Sequence, residues 1–521
     1  MYNNYLSLPT DLYSSDDIIY IITMVFIRKL KNKSGTYLVE VESYRENGKV
    51  KQRYKKYIGK EVDGKKIISS SISNIEIESV KVYGPLMVLN HIAQEINLSK
   101  ILGEYSNEIL SMVYAHCVEP KSINQMEHWF EKTDLNLILD LQRLTESQLL
   151  DALDSINKLG SEQIQKEIFN EVRKKYDLDT SGVLYDVTNT YFHGNKCPLG
   201  KRGRSKEKRN DKPLVQIGLG VTRKDGIPLF HKTFDGNIHD ARTLQAVLPM
   251  FEEYNIKEGF FVYDRGISSK DNLTDVKKMN WETICGLPIR DDLKPIVRKI
   301  IIQKNLVTIK NRILLSKTAM YATSMTHEIG GIRGKLIVCF NNKMKVAIQE
   351  SRYDEIQNAQ KRIEKKKNIK TGLNKYFDKD WNPLQKEIGK AEEFDGYSCI
   401  FSTKNIPNDE IVRIYFEKDL VEKAFQNLKG VIALRPIRHW LYDRVEGHIF
   451  ICYLAYLLLS LLKYKLRKIR MSPVEALREL ETLYKVYMKD TVKGFELTKL
   501  VKLTTKQEDI LKAIDRKLLK V

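Results

Sequence analysis

Three carboxylates and a small set of cations carry whatever chemistry this chain performs. Asp186 lies among Leu184, Tyr185 and Val187, where an unpaired carboxylate is expensive to bury, so a metal ion or a cationic side chain must compensate it. Asp264 ends the apolar run Phe260-Phe261-Val262-Tyr263 and meets the same difficulty, although a strand-end aspartate also caps turns. Tyr415, Lys418, Glu422 and Lys429 follow at i, i+3, i+7 and i+14. On one helix they fall within about 60° of one another, so a single face presents a carboxylate, two cations and a phenol. Leu420, Val421, Ala424, Phe425 and Leu428 cover the neighbouring face. The same spacing equally suits an amphipathic helix with a Lys–Glu pair on its wet side. As a set, these hard oxygen ligands suit divalent ions, and two ions about 3.5–4 Å apart serve both the attacking and the leaving oxygen of a phosphodiester.

The elements that must position these groups begin at Gly182. Strands are expected at Val183–Thr188, Leu214–Thr222 and Pro228–Phe234, then a helix at Asp240–Tyr254, a strand at Gly259–Asp264, a helix at Ser269–Met279 and a strand at Trp281–Gly286. This is the order of the ribonuclease H-like fold, in which the first and fourth strands lie side by side and would bring Asp186 to Asp264. Residues 290–395 interrupt that core with expected strands at Ile300–Ile309 and Gly334–Phe340 and a charged helix at Glu350–Lys370. A strand at Tyr397–Thr403 precedes one helix from Asp409 to Gly430. The fold class is therefore α/β. A ribonuclease H-like core (181–289 and 396–470, the second part with the carboxylate-bearing helix) is interrupted by a β-rich insertion with a charged helix (290–395). Before it come an uninformative extension (1–23), a basic β-hairpin region (24–80) and a helical region suited to DNA binding (81–180). A helical tail (471–521) follows.

The hairpin turns at Asn47-Gly48, and its second strand carries Lys49, Lys51, Arg53, Lys55 and Lys56 with Tyr54 and Tyr57. That mixture fits phosphate gripping with base stacking, and equally a lysine-guarded sheet edge. Between the first two core strands, residues 197–212 form a basic loop. Arg435, Arg438, His439, Trp440, Arg444 and His448 repeat the pairing of bases with an aromatic ring. With 87 Lys+Arg against 67 Asp+Glu, the net charge of +20 favours a polyanionic partner. The six cysteines are scattered without a C-x-x-C pair, which argues against a disulfide framework or a thiolate zinc site and fits a reducing cytosol. The longest apolar run, Ile449–Leu462, is shorter than the ~20 residues of a membrane span and reads as a core helix. Ile18–Thr23 follows Asp16 and Asp17, a poor signal peptide, and Met24 is an equal candidate for the start.

The pattern Tyr415-x2-Lys418-x3-Glu422-x6-Lys429 resembles the Tyr-x2-Arg-x3-Glu-x6-Lys signature of the DDE transposases of bacterial insertion sequences, specifically the insertion sequence four group and its close relatives. Lys418 departs from it, keeping the charge of arginine without the two-pronged grip on phosphate. Leu184-Tyr-Asp-Val-Thr188 is similar to the first-aspartate strand and Val262-Tyr-Asp-Arg-Gly266 to the second. Gly236-Asn-Ile-His-Asp240 resembles the segment after the third strand, and Arg435 to His448 the stretch after the catalytic helix. The similarity spans roughly residues 25–465.

This resemblance implies a transposase with cut-and-paste chemistry. Asp186, Asp264 and Glu422 would be catalytic and would hold two magnesium ions, with manganese as a substitute. Tyr415, Lys418 and Lys429 would contact the DNA backbone, joined by Lys206 and Arg209 of the basic loop and by Arg435, Arg438 and His439. The implied partners are double-stranded DNA, both terminal inverted repeats and target, and a second copy of the chain at synapsis, with no membrane. Two rivals are a catalytically silent DNA-binding derivative, against which the presence of all three carboxylates argues, and a nuclease on the same fold.

Overall fold

The structure is a computed structural model that describes residues 24–32, 35–46, 48–62, 65–68, 74–192, 196–206, 211–256, 258–315, 318–492 and 494–520. The extension 1–23, Asn47 of the expected turn and Arg209 of the basic loop lie outside them. The chain divides into two compact units, one of residues up to Val80 with Lys485–Val501, the other of Lys81–Tyr484 with residues from Lys502 onward.

In the first unit, β1 (Met24–Asn32), β2 (Gly35–Glu46), β3 (Lys49–Val62) and β4 (Lys65–Ile68) form an antiparallel sheet in that order. The cations of β3 stand opposite carboxylates of β2 in register: Lys49 against Glu46, Arg53 against Glu42, Lys56 against Glu40. Glu42 is buried beneath Arg53 and Lys55, at 2.6 and 3.0 Å. β3 is thus an interior strand rather than a guarded edge, and much of its charge is taken up by cross-strand pairs. β5 (Ile75–Val82) belongs to a second sheet completed near the C-terminus.

The second unit opens with helices α1 (Gly84–Glu95), α2 (Leu98–Leu102), α3 (Ser106–Val118), α4 (Ile123–Glu131), α5 (Leu135–Ile138), α6 (Glu146–Leu159) and α7 (Ser161–Lys175). Thr145 caps α6 by accepting from the Gln148 N–H, and Gln148 accepts back from the Thr145 N–H. Next come β6 (Gly182–Tyr191), β7 (Leu214–Thr222), β8 (Pro228–Asp235), α8 (Asp240–Glu253), β9 (Phe260–Tyr263), α9 (Lys270–Lys278) and β10 (Glu282–Leu287). β6, β7 and β8 are antiparallel neighbours, β9 lies parallel to β6, and β10 parallel to β9. Gly218 and Gly220 of β7 leave room for the rings of Tyr185 and Phe230, which a side chain at either position would overlap. Beneath this sheet Phe251, Phe261 and Trp281 pack with ring centroids 4.6–5.0 Å apart.

Residues 290–395 differ from the expected β-rich insertion. Ile300–Ile309, expected as a strand, falls largely in helix α10 (Lys294–Gln303): Pro295 opens it, and Val297 and Ile300 bury one helical face. β11 (Arg312–Leu315), β12 (Thr318–Ile329) and β13 (Ile332–Phe340) follow, then α11 (Asn342–Glu364) and α12 (Gln385–Glu392). The charged helix starts earlier than expected because the Asn341 side chain caps it at Met344 N–H. The insertion continues the same sheet, since β14 (Tyr397–Ser402) joins β10 to β13, giving the order β11-β12-β13-β14-β10-β9-β6-β7-β8 among the described residues.

The expected single helix from Asp409 is two helices, α13 (Asn408–Phe416) and α14 (Asp419–Gly430). At the break the bonding tightens to i→i−3, with Lys418 N–H donating to Tyr415 O and Val421 N–H to Lys418 O. Arg223 pairs with Glu417 at the same point. Helix α15 (Tyr442–Leu466) has the length and hydropathy of a membrane span, but 89% of its apolar window is buried inside the protein. It is apolar all round because α1, α3, α6 and β8 surround it. The tail is not wholly helical. Between α16 (Pro473–Leu480) and α17 (Thr505–Ile514), the alternating segment Tyr484–Asp490 (β15) pairs with Glu496–Leu500 (β16) around Gly494 at φ +72°, and β15 also pairs with β5.

Candidate active site

The pairing of β6 with β9 sets Tyr185 opposite Tyr263, so the residues that follow each, Asp186 and Asp264, emerge side by side. Asp186 is the one partly exposed position in the buried run from Gly182 to Thr190. Burial pushes its carboxyl up to about 6, and Asp264 pushes it the same way, against the pull of Lys206, the Val187 backbone and Lys418. Burial raises the Asp264 carboxyl too, but Lys418, the Arg265 backbone and the Tyr415 hydroxyl outweigh it and hold it below the usual range.

Helices α13 and α14 bring the remaining groups. Tyr415 OH donates to Asp264 Oδ1 at 2.9 Å. It reaches there through a slot kept open by Gly286 of β10, where a Cβ would overlap that hydroxyl. The Lys418 ammonium lies 2.9 Å from Glu422 Oε1 and 3.7 Å from Asp264 Oδ1. Burial works against its charge, yet Asp264, Glu422 and Asp186 together raise its pKa. The three carboxylates as a set do not come within 4.8 Å of one another. A cation already stands among them, and oxygen donors that share an ammonium in this way suit a divalent ion.

The basic loop is docked, not free, over its described part. Lys201 and Leu214 exchange backbone hydrogen bonds at 2.8 and 3.1 Å. Gly203 sits so close to Gly236 that a Cβ on it would overlap the Gly236 carbonyl oxygen. Asn189 of β6 holds the loop from below, its amide donating to Arg204 O at 2.9 Å and its side-chain oxygen accepting from Lys206 N–H at 3.1 Å. Lys206 Nζ donates to Val187 O and pairs with Asp240 at 3.4 Å. Lys429 Nζ donates to Asn189 O at 2.9 Å, tying α14 to the same strand. A cavity of about 1040 Å³ opens beside Asp264, lined by Arg202, Arg204, Lys206, Arg265 and Lys370.

Asp186, Asp264, Glu422, Tyr415, Lys418, Lys429 and Lys206 thus gather around one sheet edge. Arg435, Arg438 and His439 instead line a different cavity with His116 and His448. Sequence reasoning gave no role to Asn189 or Asp240. The signal for Asn189 was a buried polar run, Thr188-Asn189-Thr190, in a strand otherwise apolar.

A family model described as transposase DDE domain matches residues 177–458. No curated protein matches the sequence. Among solved structures, the cryo-EM structure of a piggyBac transposase synaptic complex with hairpin DNA is similar at 9% identity, with a TM-score of 0.38, over 77% of this chain and 80% of that one.

Proposed function

Because the chain belongs to the transposase DDE domain family, we propose that it cuts and rejoins DNA at the ends of an insertion sequence by cut-and-paste, with Asp186, Asp264 and Glu422 as its catalytic carboxylates. The observation that carries this reading is the pairing of β6 with β9, which aligns the two aspartates, together with the Lys418 ammonium shared by Asp264 and Glu422. The order β8-β7-β6-β9-β10, with β7 antiparallel, supports a ribonuclease H-like core.

The three carboxylates would hold magnesium, or manganese in its place, which when bound supplies an activated oxygen nucleophile and a stabilised leaving oxygen. Tyr415 orients the Asp264 carboxylate. The cations along the adjoining cavity hold phosphates of double-stranded DNA, and Lys206 and Asn189 fix the loop that presents them. Lys429 braces α14 against β6 and so sets the depth of Glu422. Arg435, Arg438 and His439 lie farther along the proposed DNA path, and a second copy of the chain would complete synapsis.

Asp186→Asn, Asp264→Asn and Glu422→Gln are each expected to abolish magnesium-dependent cleavage of the element's own ends while leaving end binding within about twofold, because affinity resides in the phosphate contacts. Retained cleavage in any of the three would remove that residue from the site. Incubation with 3′-hydroxyl ends and target DNA checks joining, and hydrolysis without joined product would make the protein a nuclease instead.

A further inference from the structure

Away from the carboxylates, His116 of α3 and His448 and Cys452 of α15 bring one donor atom each to within 4.8 Å of the others. His448 and Cys452 share a face of α15 at i, i+4, with Cys452 Sγ 3.8 Å from His448 Nε2. A third imidazole, His439, has its ring centroid 5.9 Å from that of His448, and the His116 ring lies 5.6 Å from it on another side. The three histidines line one cavity of about 700 Å³.

Carbonyls of the segment after α14 hold two of the rings. His116 Nδ1 lies 2.6 Å from Ile432 O, and His448 Nε2 lies 3.0 Å from Leu434 O. A carbonyl only accepts, so each facing nitrogen carries the proton and the other nitrogen of each ring keeps its lone pair. An anchored N–H with a free lone pair opposite is how metal-bound histidines are held. Ala433, between the two carbonyls, takes a left-handed φ of +54°, unusual for a residue with a side chain, so the segment is bent to aim both carbonyls inward. Burial pushes all three imidazoles down, His448 to about 3, and pushes the Cys452 thiol up. The imidazoles are therefore neutral donors at ordinary pH.

The geometry points to a structural site for a borderline-soft divalent cation, zinc by its chemistry, held by His116, His448 and Cys452 with His439 as the fourth ligand. Nitrogen and thiolate donors in a closed, largely buried setting select zinc over magnesium, which takes oxygen. Binding releases the Cys452 proton to solvent as the thiol becomes a thiolate. The ion would fasten α3 and α15 to the segment that leaves the Glu422-bearing helix. This inference stands on donors outside the carboxylate site and does not depend on the proposed chemistry there.

The test uses the full-length protein without a metal-binding tag. Elemental analysis after dialysis is expected to find about one zinc per chain in the wild type and at least ~10-fold less in His448→Gln and Cys452→Ser. The triple variant Asp186→Asn, Asp264→Asn, Glu422→Gln is expected to keep its zinc, which separates this site from the carboxylates whatever becomes of cleavage. Because a variant of a buried cluster can fail to fold, the wild type carries a second measurement. Stripped with chelator and titrated with Co²⁺, it is expected to develop sulfur-to-cobalt charge-transfer absorption saturating at about one equivalent and removed by Zn²⁺. Folded wild-type protein with less than ~0.1 zinc per chain and no such absorption would overturn the site.

Discussion

Lys418 is the residue at which the sequence and its three-dimensional setting part most. Read along the chain, it is a helix-face cation turned to phosphate. In the fold its ammonium lies between Glu422 and Asp264, with only 17% of the side chain exposed. Removing it leaves two carboxylates facing each other without a cation, so Lys418→Ala is expected to destabilise the metal-free protein by about 1–3 kcal/mol. It should also enlarge the rise in Tm on adding magnesium, because the ion then takes over the charge compensation. Lys418→Arg keeps the charge and should behave nearly as the wild type. Thermal scans of the three proteins with and without magnesium decide it, and an alanine variant with unchanged Tm in both conditions would place Lys418 outside the carboxylate group. Asp186 and Asp264 were legible because a carboxylate inside an apolar strand stands out in one dimension. The partners of Tyr415 and Lys429 were not, because they lie 151 and 240 positions away and depend on a slot at Gly286 and a carbonyl at Asn189.

Among the elements, the strands of the core could be read almost to the residue, since period-two and all-apolar runs ending at glycine or aspartate leave few alternatives. Two readings failed for one physical reason. Ile300–Ile309 is rich in β-branched residues, yet Pro295 and the buried positions Val297 and Ile300 make its first half a helix. The helix carrying Glu422 looked continuous, but Tyr415 and Lys418 both reach toward Asp264, and the backbone tightens between them to allow it. In each case contacts from elsewhere in the fold override local preference. The basic loop offers a test at this scale. Gly203→Ala puts a methyl group into the Gly236 carbonyl and should unseat residues 196–206 without touching a carboxylate. Faster amide exchange in that segment is expected, with cleavage reduced by about 100-fold through misplaced phosphate contacts. Unchanged exchange would mean the loop seats itself by its hydrogen bonds alone.

For the molecule as a whole, stability converges on α15. His231 of β8 is buried against its Phe450 and Tyr453 rings, and burial holds the imidazole down at about 3 against 6.5 unfolded. Below 6.5 the unfolded chain binds the extra proton and the folded one does not. This contribution is therefore complete above about pH 6.5 and lost as pH falls toward about 3, by up to about 1.4 kcal/mol per pH unit. His231→Phe keeps the ring contacts and the backbone N–H bond to Gln165. It should flatten the acid slope of urea-unfolding free energies by about one proton between about pH 4 and 6.5. A slope identical to the wild type would place the acid-sensitive group elsewhere. The hairpin of β15 and β16 completes a sheet begun by β5, near the opposite end of the chain. Translation delivers β5 first, and its partner emerges only when most of the protein has been made. During synthesis that strand edge has no template of its own, and the nascent chain carries an open pairing surface that closes only at the end.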